Sequence, residues 1–139
     1  MKKLDPLLVE VARVKPLEFG ESYESRMILD HVITGRDGVI QMNHGTVKAG
    51  YALDGATHEE DEIYYILSGH GKINLDGKIQ EVVPDQVIFI PAGCFHALDN
   101  REGKEDLKIL TLWKDYRFND GYEARIKRWG KSFKTVDEE

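Results

Sequence analysis

Short apolar runs alternate with polar and turn-forming residues along most of the chain. Most of these runs are four to seven residues long, and glycine, proline, aspartate or asparagine residues bound them. This pattern predicts β-strands, because a helix needs apolar residues at a 3.6-residue spacing over a longer window. We therefore predict an all-β domain with strands at residues 27–33, 39–47, 51–53, 63–67, 71–75, 78–83, 87–91 and 107–113.

Turn residues separate several of these predicted strands. Asp76-Gly77 stands between two alternating segments, and a type I′ turn needs two residues that tolerate positive φ. We therefore predict a tight hairpin there. Asp37-Gly38 is a weaker signal of the same kind, and Pro84 breaks the chain before the strand that starts at Val87.

The amino-terminal segment differs from this middle part. Leu4, Leu7, Leu8 and Val11 have a helix-like spacing, but Pro6 limits the segment to a first helical turn or to an extended arm. Both forms stay open at this point.

The carboxy-terminal segment 122–133 is predicted to form a short helix after the turn at 119–121. Its apolar positions interleave with basic ones, which are Arg125, Lys127, Arg128, Lys131 and Lys134. One interpretation is a solvated helix packed on the sheets. The alternative is a basic face that binds anions.

Length and charge narrow the classes of function. The chain of 139 residues suffices for one hydrophobic core, and its 25 acidic and 19 basic residues give a net charge of −6, which disfavours nucleic-acid binding. No apolar run approaches the roughly 20 residues of a membrane span, and the first ten residues do not follow a secretory pattern. The single cysteine, Cys94, cannot form an intrachain disulfide. We expect a cytoplasmic protein without a nucleic-acid or membrane partner.

His58 and Glu62 form the first cluster of candidate chemistry. A straight strand rises about 3.3 Å per residue, which would place these two residues roughly 13 Å apart. Ligands of one metal ion must lie much closer, since metal–ligand bonds are about 2.1 Å long. A shared ion therefore requires a bend, and the polar stretch 59–61 is a plausible one.

His96 is the centre of the second cluster. An apolar strand ends there in Pro91-Ala92-Gly93, and this turn imposes a fixed chain reversal. His96 follows at the start of the next element. A histidine that a rigid turn holds in place is well suited to be a ligand.

Both clusters resemble the two conserved motifs of the cupin superfamily. The first motif is matched, with every spacing respected, at Gly50, His58, Glu62 and Gly69, with Ala56 at the position of the usual first histidine. The second motif is matched at Pro91, Gly93, His96 and Asn100, with Asp85 in place of the leading glycine.

The resemblance implies a double-stranded β-helix of the jelly-roll kind, in one domain that spans residues 1–139. Its barrel would cover about residues 25–113, after a short amino-terminal arm, and residues 114–139 would form a helical extension. The family also implies a homodimer, paired through sheet edges.

The resemblance further implies a divalent metal ion in the barrel mouth. Only His58, Glu62 and His96 match the family's ligand positions, because Ala56 cannot coordinate a metal. Two histidines and one carboxylate suit non-haem iron and could also hold manganese, nickel or zinc. Glu60 and His44 are two candidates for the missing ligand, while water or substrate is a third solution. A degenerate barrel without metal is the alternative to all of these.

The expected function is that of a metal-dependent enzyme acting on a small polar or carboxylate-bearing substrate. The family's reactions include dioxygenation, decarboxylation, lyase and isomerase chemistry, and Glu60 or a tyrosine such as Tyr64 could act as the general acid or base. The alternatives are a non-catalytic ligand-binding or sensing module and a metal-free sugar isomerase or epimerase.

Overall fold

The computed structural model describes residues 5–114 and 120–138. A 3₁₀ turn at Val11–Arg13 precedes the first strands, and two α-helices follow, α1 at His31–Thr34 and α2 at Asp120–Trp129. The strands are β1 (Leu17–Phe19), β2 (Tyr23–Leu29), β3 (Gln41–Val47), β4 (Glu62–Ser68), β5 (Gly71–Leu75), β6 (Lys78–Val82), β7 (Val87–Ile90), β8 (His96–Asp99) and β9 (Leu107–Trp113).

The strands form two antiparallel sheets. The larger sheet has the order β1-β2-β3-β9-β4-β7, and the smaller has the order β6-β5-β8. Because β9 lies between β3 and β4, strands far apart in the sequence become neighbours, as they do in a jelly roll. The predicted all-β fold with a carboxy-terminal helix is confirmed.

The hydrophobic core contains residues from both sheets. Val47, Ile66 and Ile109 of the larger sheet and Ile73 and Leu98 of the smaller one belong to a single buried cluster. Along β9 and the first five residues of β4, buried side chains alternate with more exposed ones. One face of each of these strands therefore turns inward.

The predicted hairpin is present between β5 and β6. Leu75 pairs with Lys78, while Asp76 and Gly77 have φ angles of 51° and 89°, as a type I′ turn requires. The weaker prediction at Asp37-Gly38 is also a turn, but it lies in a longer connection that includes α1.

Two predicted elements need correction, and the apolar pattern did not predict the strands β1 and β8. The run at 27–33 ends as a strand at Leu29, because the Asp30 side chain accepts a hydrogen bond from the backbone N–H of Ile33 (2.7 Å) and starts α1. The run at 51–53 contains only an isolated bridge at Ala52. Strand β1 pairs with β2 at the sheet edge.

The two termini lie against each other. Thr135 forms a bridge with Val14, and the backbone N–H groups of Lys15 and Val136 donate to the carbonyl oxygens of Lys134 and Arg13, at 2.7 and 2.8 Å. The amino-terminal arm is helical only at Val11–Arg13 within the described residues. Helix α2 stops at Trp129, before Gly130 with φ 73°, and not at residue 133 as predicted.

The helices in the described part of the chain are all too short or too polar to cross a membrane.

Candidate metal centre

His58, Glu62 and His96 meet inside the molecule. Glu62 opens β4, His96 opens β8, and His58 lies in the loop before β4. The chain bends at residues 59–60, so the His58 Nε2 and Glu62 Oε2 atoms lie 3.0 Å apart rather than at the span of a straight strand. The His96 Nε2 atom is 3.7 Å from the same carboxylate oxygen. One nitrogen or oxygen from each residue lies within 4.8 Å of the others.

Backbone carbonyls orient both imidazole rings. The Nδ1 atom of His58 lies 3.1 Å from the carbonyl oxygen of Glu60, and the Nδ1 atom of His96 lies 3.0 Å from that of Cys94. A carbonyl oxygen only accepts, so each Nδ1 carries a proton and each Nε2 faces Glu62.

The loop that carries His58 is tied to the turn before His96. The Gly93 N–H donates to the His58 carbonyl oxygen (2.8 Å), and the Ala92 N–H donates to the Asp61 carboxylate (2.9 Å). These bonds join the two motif segments and set the distance between their histidines.

Two imidazole Nε2 atoms therefore face one carboxylate. Imidazole lone pairs and a carboxylate repel each other unless a proton or a cation lies between them. Burial raises the pKa of Glu62 to about 7, and burial is also the main cause that lowers the pKa of His96. This donor set and its convergence fit a divalent metal ion.

The three residues line a cavity of about 520 Å³ between the sheets. Its polar wall includes Tyr23, Ser25, Asn43 and Thr111, and its other lining residues include Tyr64, Trp113 and Gly121 of α2. The cavity has room for a small molecule beside the candidate metal ligands.

A comparison with known families agrees with the two motifs found in the sequence. The family described as Cupin domain matches residues 38–113, which is more than half of the chain. The chain belongs to the cupin family.

Curated relatives of this cupin match it over part of their length. A 69-residue segment is 32% identical to an uncharacterized protein of Streptomyces coelicolor and covers 45% of this chain and 64% of that protein. Another segment of 63 residues is 33% identical to the acireductone dioxygenase of Emericella nidulans and covers 42% of this chain and 35% of that enzyme. The matched part thus spans less than two thirds of each relative.

Solved structures show the same fold. A predicted oxalate decarboxylase from Thermotoga maritima superposes with a TM-score of 0.68 at 23% identity, over 78% of this chain and 98% of that chain. The polyketide cyclase RemF from Streptomyces resistomycificus gives a TM-score of 0.70 at 22% identity, over 78% and 79% of the two chains.

Ala56 stands where the usual cupin motif has its first histidine, and it lines the cavity. Ala56 pairs with His96, since each backbone N–H donates to the carbonyl oxygen of the other residue at 3.0 Å. His44 does not fill this position. Its neighbour Asn43 lines the cavity, and alternation along β3 turns His44 to the other face, near Arg26 and Lys108.

Glu60 and Tyr64, the two candidate acid–base residues, lie in different places. Glu60 lines a separate pocket with Asp61, and only its carbonyl oxygen reaches the site, through His58. The geometry therefore offers no support for its carboxylate as a catalytic group.

Tyr64 is buried and lines the cavity, with its ring edge-on to His96 at 5.9 Å between centroids. Burial raises the pKa of Tyr64 well above its usual value of 10.

Sequence reasoning missed a polar cluster in the cavity wall. Tyr23, Ser25 and Asn43 line the cavity, and Arg125 of α2 lies behind them with none of its surface exposed. The prediction that the basic residues of α2 form a solvated face is wrong for Arg125. The sequence showed Arg125 as one of several basic residues on the predicted helix. Nothing in the local pattern indicated that Arg125 would be buried while Lys127 and Arg128 are not.

Proposed function

We propose that this cupin is a metal-dependent enzyme that acts on a small polar or carboxylate-bearing substrate. One divalent ion, iron, manganese, nickel or zinc, would be held by His58, Glu62 and His96. The observation that carries the proposal is the convergence of two imidazole nitrogens and a buried carboxylate on one point of the cavity wall. A divalent cation there would offset the repulsion between the two lone pairs and the carboxylate.

Different residues of the chain would have different roles in this function. His58, Glu62 and His96 hold the ion, and the backbone carbonyls of Glu60 and Cys94 keep both rings turned toward it. When bound, the metal supplies a Lewis acid or, if it is iron, a centre for oxygen activation. The open position beside Ala56 leaves space for water or for a substrate oxygen.

Tyr64 would act as a hydrogen-bond donor to the substrate. Because its pKa is raised well above 10, the phenol stays protonated at neutral pH and cannot serve as a base. Glu60 has no part in this proposal, since its carboxylate does not line the cavity.

The relatives support a range of reactions on small substrates. One is named as a dioxygenase, and one solved structure of the same fold is described as a predicted oxalate decarboxylase. Dioxygenation and decarboxylation are therefore the first reactions to assay, followed by lyase and isomerase chemistry.

The second candidate is a ligand-binding module or an isomerase that needs no metal. It is favoured by Ala56, which leaves the centre one ligand short of the usual cupin set. In that case the two histidines and Glu62 would share protons instead of an ion.

Elemental analysis decides between these functions. The protein should be purified without chelators or metal resin, beside the variants His96→Ala and Glu62→Gln and the control His44→Gln. We expect near-stoichiometric metal in the wild type and the control, and loss of metal in both ligand variants. Wild-type protein that neither contains nor takes up a divalent ion would refute the metal-dependent function and leave the second candidate.

We also propose that this cupin is a cytoplasmic homodimer that pairs through the outer face at β7. This strand is the last in the larger sheet, and its side chains Val87 and Phe89 are 64% and 59% exposed. An open strand edge beside exposed apolar side chains favours pairing with a second copy. Light scattering at micromolar concentration should give the dimer mass, and Phe89→Lys should give the monomer. A monomer mass for the wild type would contradict this proposal.

A further inference from the structure

Helix α2 brings a buried cation to the wall of the cavity. Gly121 lines the cavity, and Arg125 follows one helical turn later on the same face. An added Cβ at Gly121 would lie 2.7 Å from the Arg125 Nη1 atom, so the glycine leaves room for the guanidinium group. No part of Arg125 is exposed to solvent.

The guanidinium group of Arg125 is only partly satisfied. Its Nη2 atom donates to the Ser25 hydroxyl and to the Asn43 Oδ1 atom, the latter at 3.1 Å. Its Nε and Nη1 atoms have no hydrogen-bond partner in residues 5–114 and 120–138. Leaving charged donors buried and unpaired is costly, so such donors favour an anion nearby.

The other charged groups near Arg125 do not neutralise it directly. Asp30 attracts it electrostatically, but the Asp30 carboxylate bonds to the Ile33 N–H and forms no ion pair with Arg125 in the part of the chain described. Tyr23 also interacts electrostatically with the Arg125 guanidinium group, and this interaction favours the charged form of Arg125. Burial lowers the pKa of Arg125 to about 10, so the group remains charged at neutral pH.

Arg125 also dictates the orientation of the polar wall. A guanidinium only donates, so the Asn43 oxygen must face Arg125 and the Asn43 amide nitrogen must face away. That nitrogen donates to the Tyr23 hydroxyl oxygen at 3.2 Å, and the Ser25 hydroxyl donates to the Asn43 oxygen at 2.5 Å. The Tyr23 hydroxyl proton therefore points away from Asn43. The Tyr23 hydroxyl also hydrogen-bonds to Ser25 and lies within the field of the Glu62 carboxylate, so a ligand in the cavity would compete with Ser25 for this proton.

We propose that the wall of Tyr23, Ser25 and Asn43, with Arg125 behind it, binds a carboxylate of the ligand. Tyr23 is the donor that reaches the carboxylate, and Arg125 is a positioning residue that also supplies positive charge through the wall. This inference rests on the proposed function, because it assigns another part of the wall of the same cavity. A substrate with one oxygen donor for the metal and a separate carboxylate, such as a dicarboxylic or hydroxy acid, fits both parts of the wall.

A pair of probes that differ in charge but hardly in shape tests this assignment. Succinate and its neutral diamide, succinamide, should be titrated by calorimetry and by fluorescence of Trp113, which lines the cavity. The wild type should prefer succinate, and Tyr23→Phe should weaken succinate binding about tenfold, the effect of one hydrogen bond to a charged group. Binding of succinamide should change by less than about twofold.

Variants of α2 separate positioning from folding. Arg125→Met should lose the preference for succinate, Arg125→Lys should restore part of it, and Lys127→Met, which removes an exposed charge from the same helix, should change nothing. A purely structural role for Arg125 would lower stability without changing the ratio of the two affinities. If Arg125→Met does not fold, Tyr23→Phe decides the question.

Metal content and metal-free titrations distinguish failure of this inference from failure of the proposed function. Protein that holds metal but binds both probes equally, or binds succinate equally well in the wild type and in Tyr23→Phe, overturns the carboxylate wall and leaves the metal site intact. Metal-free protein that still prefers succinate, and loses the preference in Tyr23→Phe, supports the wall even if no metal is ever found.

Discussion

At the scale of single residues, small changes decide what the cavity can bind. Ala56 shows this most directly, because its backbone pairs with His96 while its methyl group lines the cavity beside the candidate ligands. A residue with a longer side chain at this position would reach the same space. The absence of a third imidazole is thus a property of one side chain and not of the backbone.

Restoring that imidazole should strengthen the metal centre. We expect Ala56→His to lower the metal dissociation constant by about tenfold or more, since a fourth protein ligand adds to the three present. Competition with a coloured chelator measures this constant. Ala56→Gln is the matched control, since it adds bulk without an imidazole. Equal affinities in all three proteins would mean that position 56 does not face the ion.

His44 predicts a pH dependence that is independent of the cavity. Burial, followed by the charges of Arg26 and Lys108, lowers its pKa in the folded protein below 6.5. Below pH 6.5 the unfolded chain therefore binds more protons than the folded one, and stability falls as the pH decreases.

His44→Gln should remove this part of the acid destabilisation. The free energy of unfolding of the variant, measured by urea titration at pH 5 and pH 7.5, should depend less on pH than that of the wild type. The exposed residue His70 provides the control, as His70→Gln. A variant with an unchanged pH slope would show that His44 does not titrate differently in the two states.

At the scale of elements, turns place the candidate ligands as much as strands do. The Pro91-Ala92-Gly93 turn ends just before β8 and bonds to the loop of His58, so the two histidines depend on one local structure. The β5–β6 hairpin also contacts the segment just before β8, because Asp76 accepts a hydrogen bond from the Phe95 N–H at 2.8 Å.

Gly77 tests how much that hairpin contributes. Its φ of 89° is costly for any residue with a Cβ, although no atom would meet an added Cβ within 4 Å. We expect Gly77→Ala to lower the free energy of unfolding by about 1–2 kcal/mol, a purely conformational cost. Chemical denaturation measures it, with Lys78→Ala next to the turn as the control. A loss no larger than that of the control would contradict this reasoning.

At the scale of the whole molecule, both termini close over the side of the larger sheet. Val14, which is 2% exposed, lies between the Thr135 bridge and the core residue Leu17, and Arg13 pairs with Asp137. Helix α2 contacts β2 and β3 through the hydrogen bonds from Arg125 to Ser25 and Asn43.

Removing residues 131–139 should show what the contact between the chain ends contributes. Two backbone hydrogen bonds and the burial of Val14 would be lost, which predicts a decrease of about 3 kcal/mol in the free energy of unfolding. Lys134→Ala keeps the backbone bonds and should remain close to the wild type. Metal content should persist, because the candidate ligands lie on β4, β8 and the preceding loop. Unchanged stability after truncation would contradict the contact's role.

The cupin fold and much of the candidate site were predictable from the sequence. Strand alternation and the Asp76-Gly77 turn are local patterns, and local backbone preferences and side-chain period act over a few residues. The candidate ligands His58, Glu62 and His96 were implied by the resemblance to the two cupin motifs, which lie far apart in the sequence. The error at 27–33 has a local cause too, since the capping bond of Asp30 overrides a continuous apolar run.

The sequence by itself determined most of the strands, the Asp76-Gly77 turn and the residue types available for the candidate metal centre, because these depend on neighbouring residues. Only the tertiary structure decided that Arg125 is buried, that Glu60 stays outside the cavity and that Ser25 and Asn43 meet α2. These contacts join residues 82 and 100 positions apart. Which face of a helix or strand turns inward over such distances is set by the packing of the whole core, and no local pattern contains it.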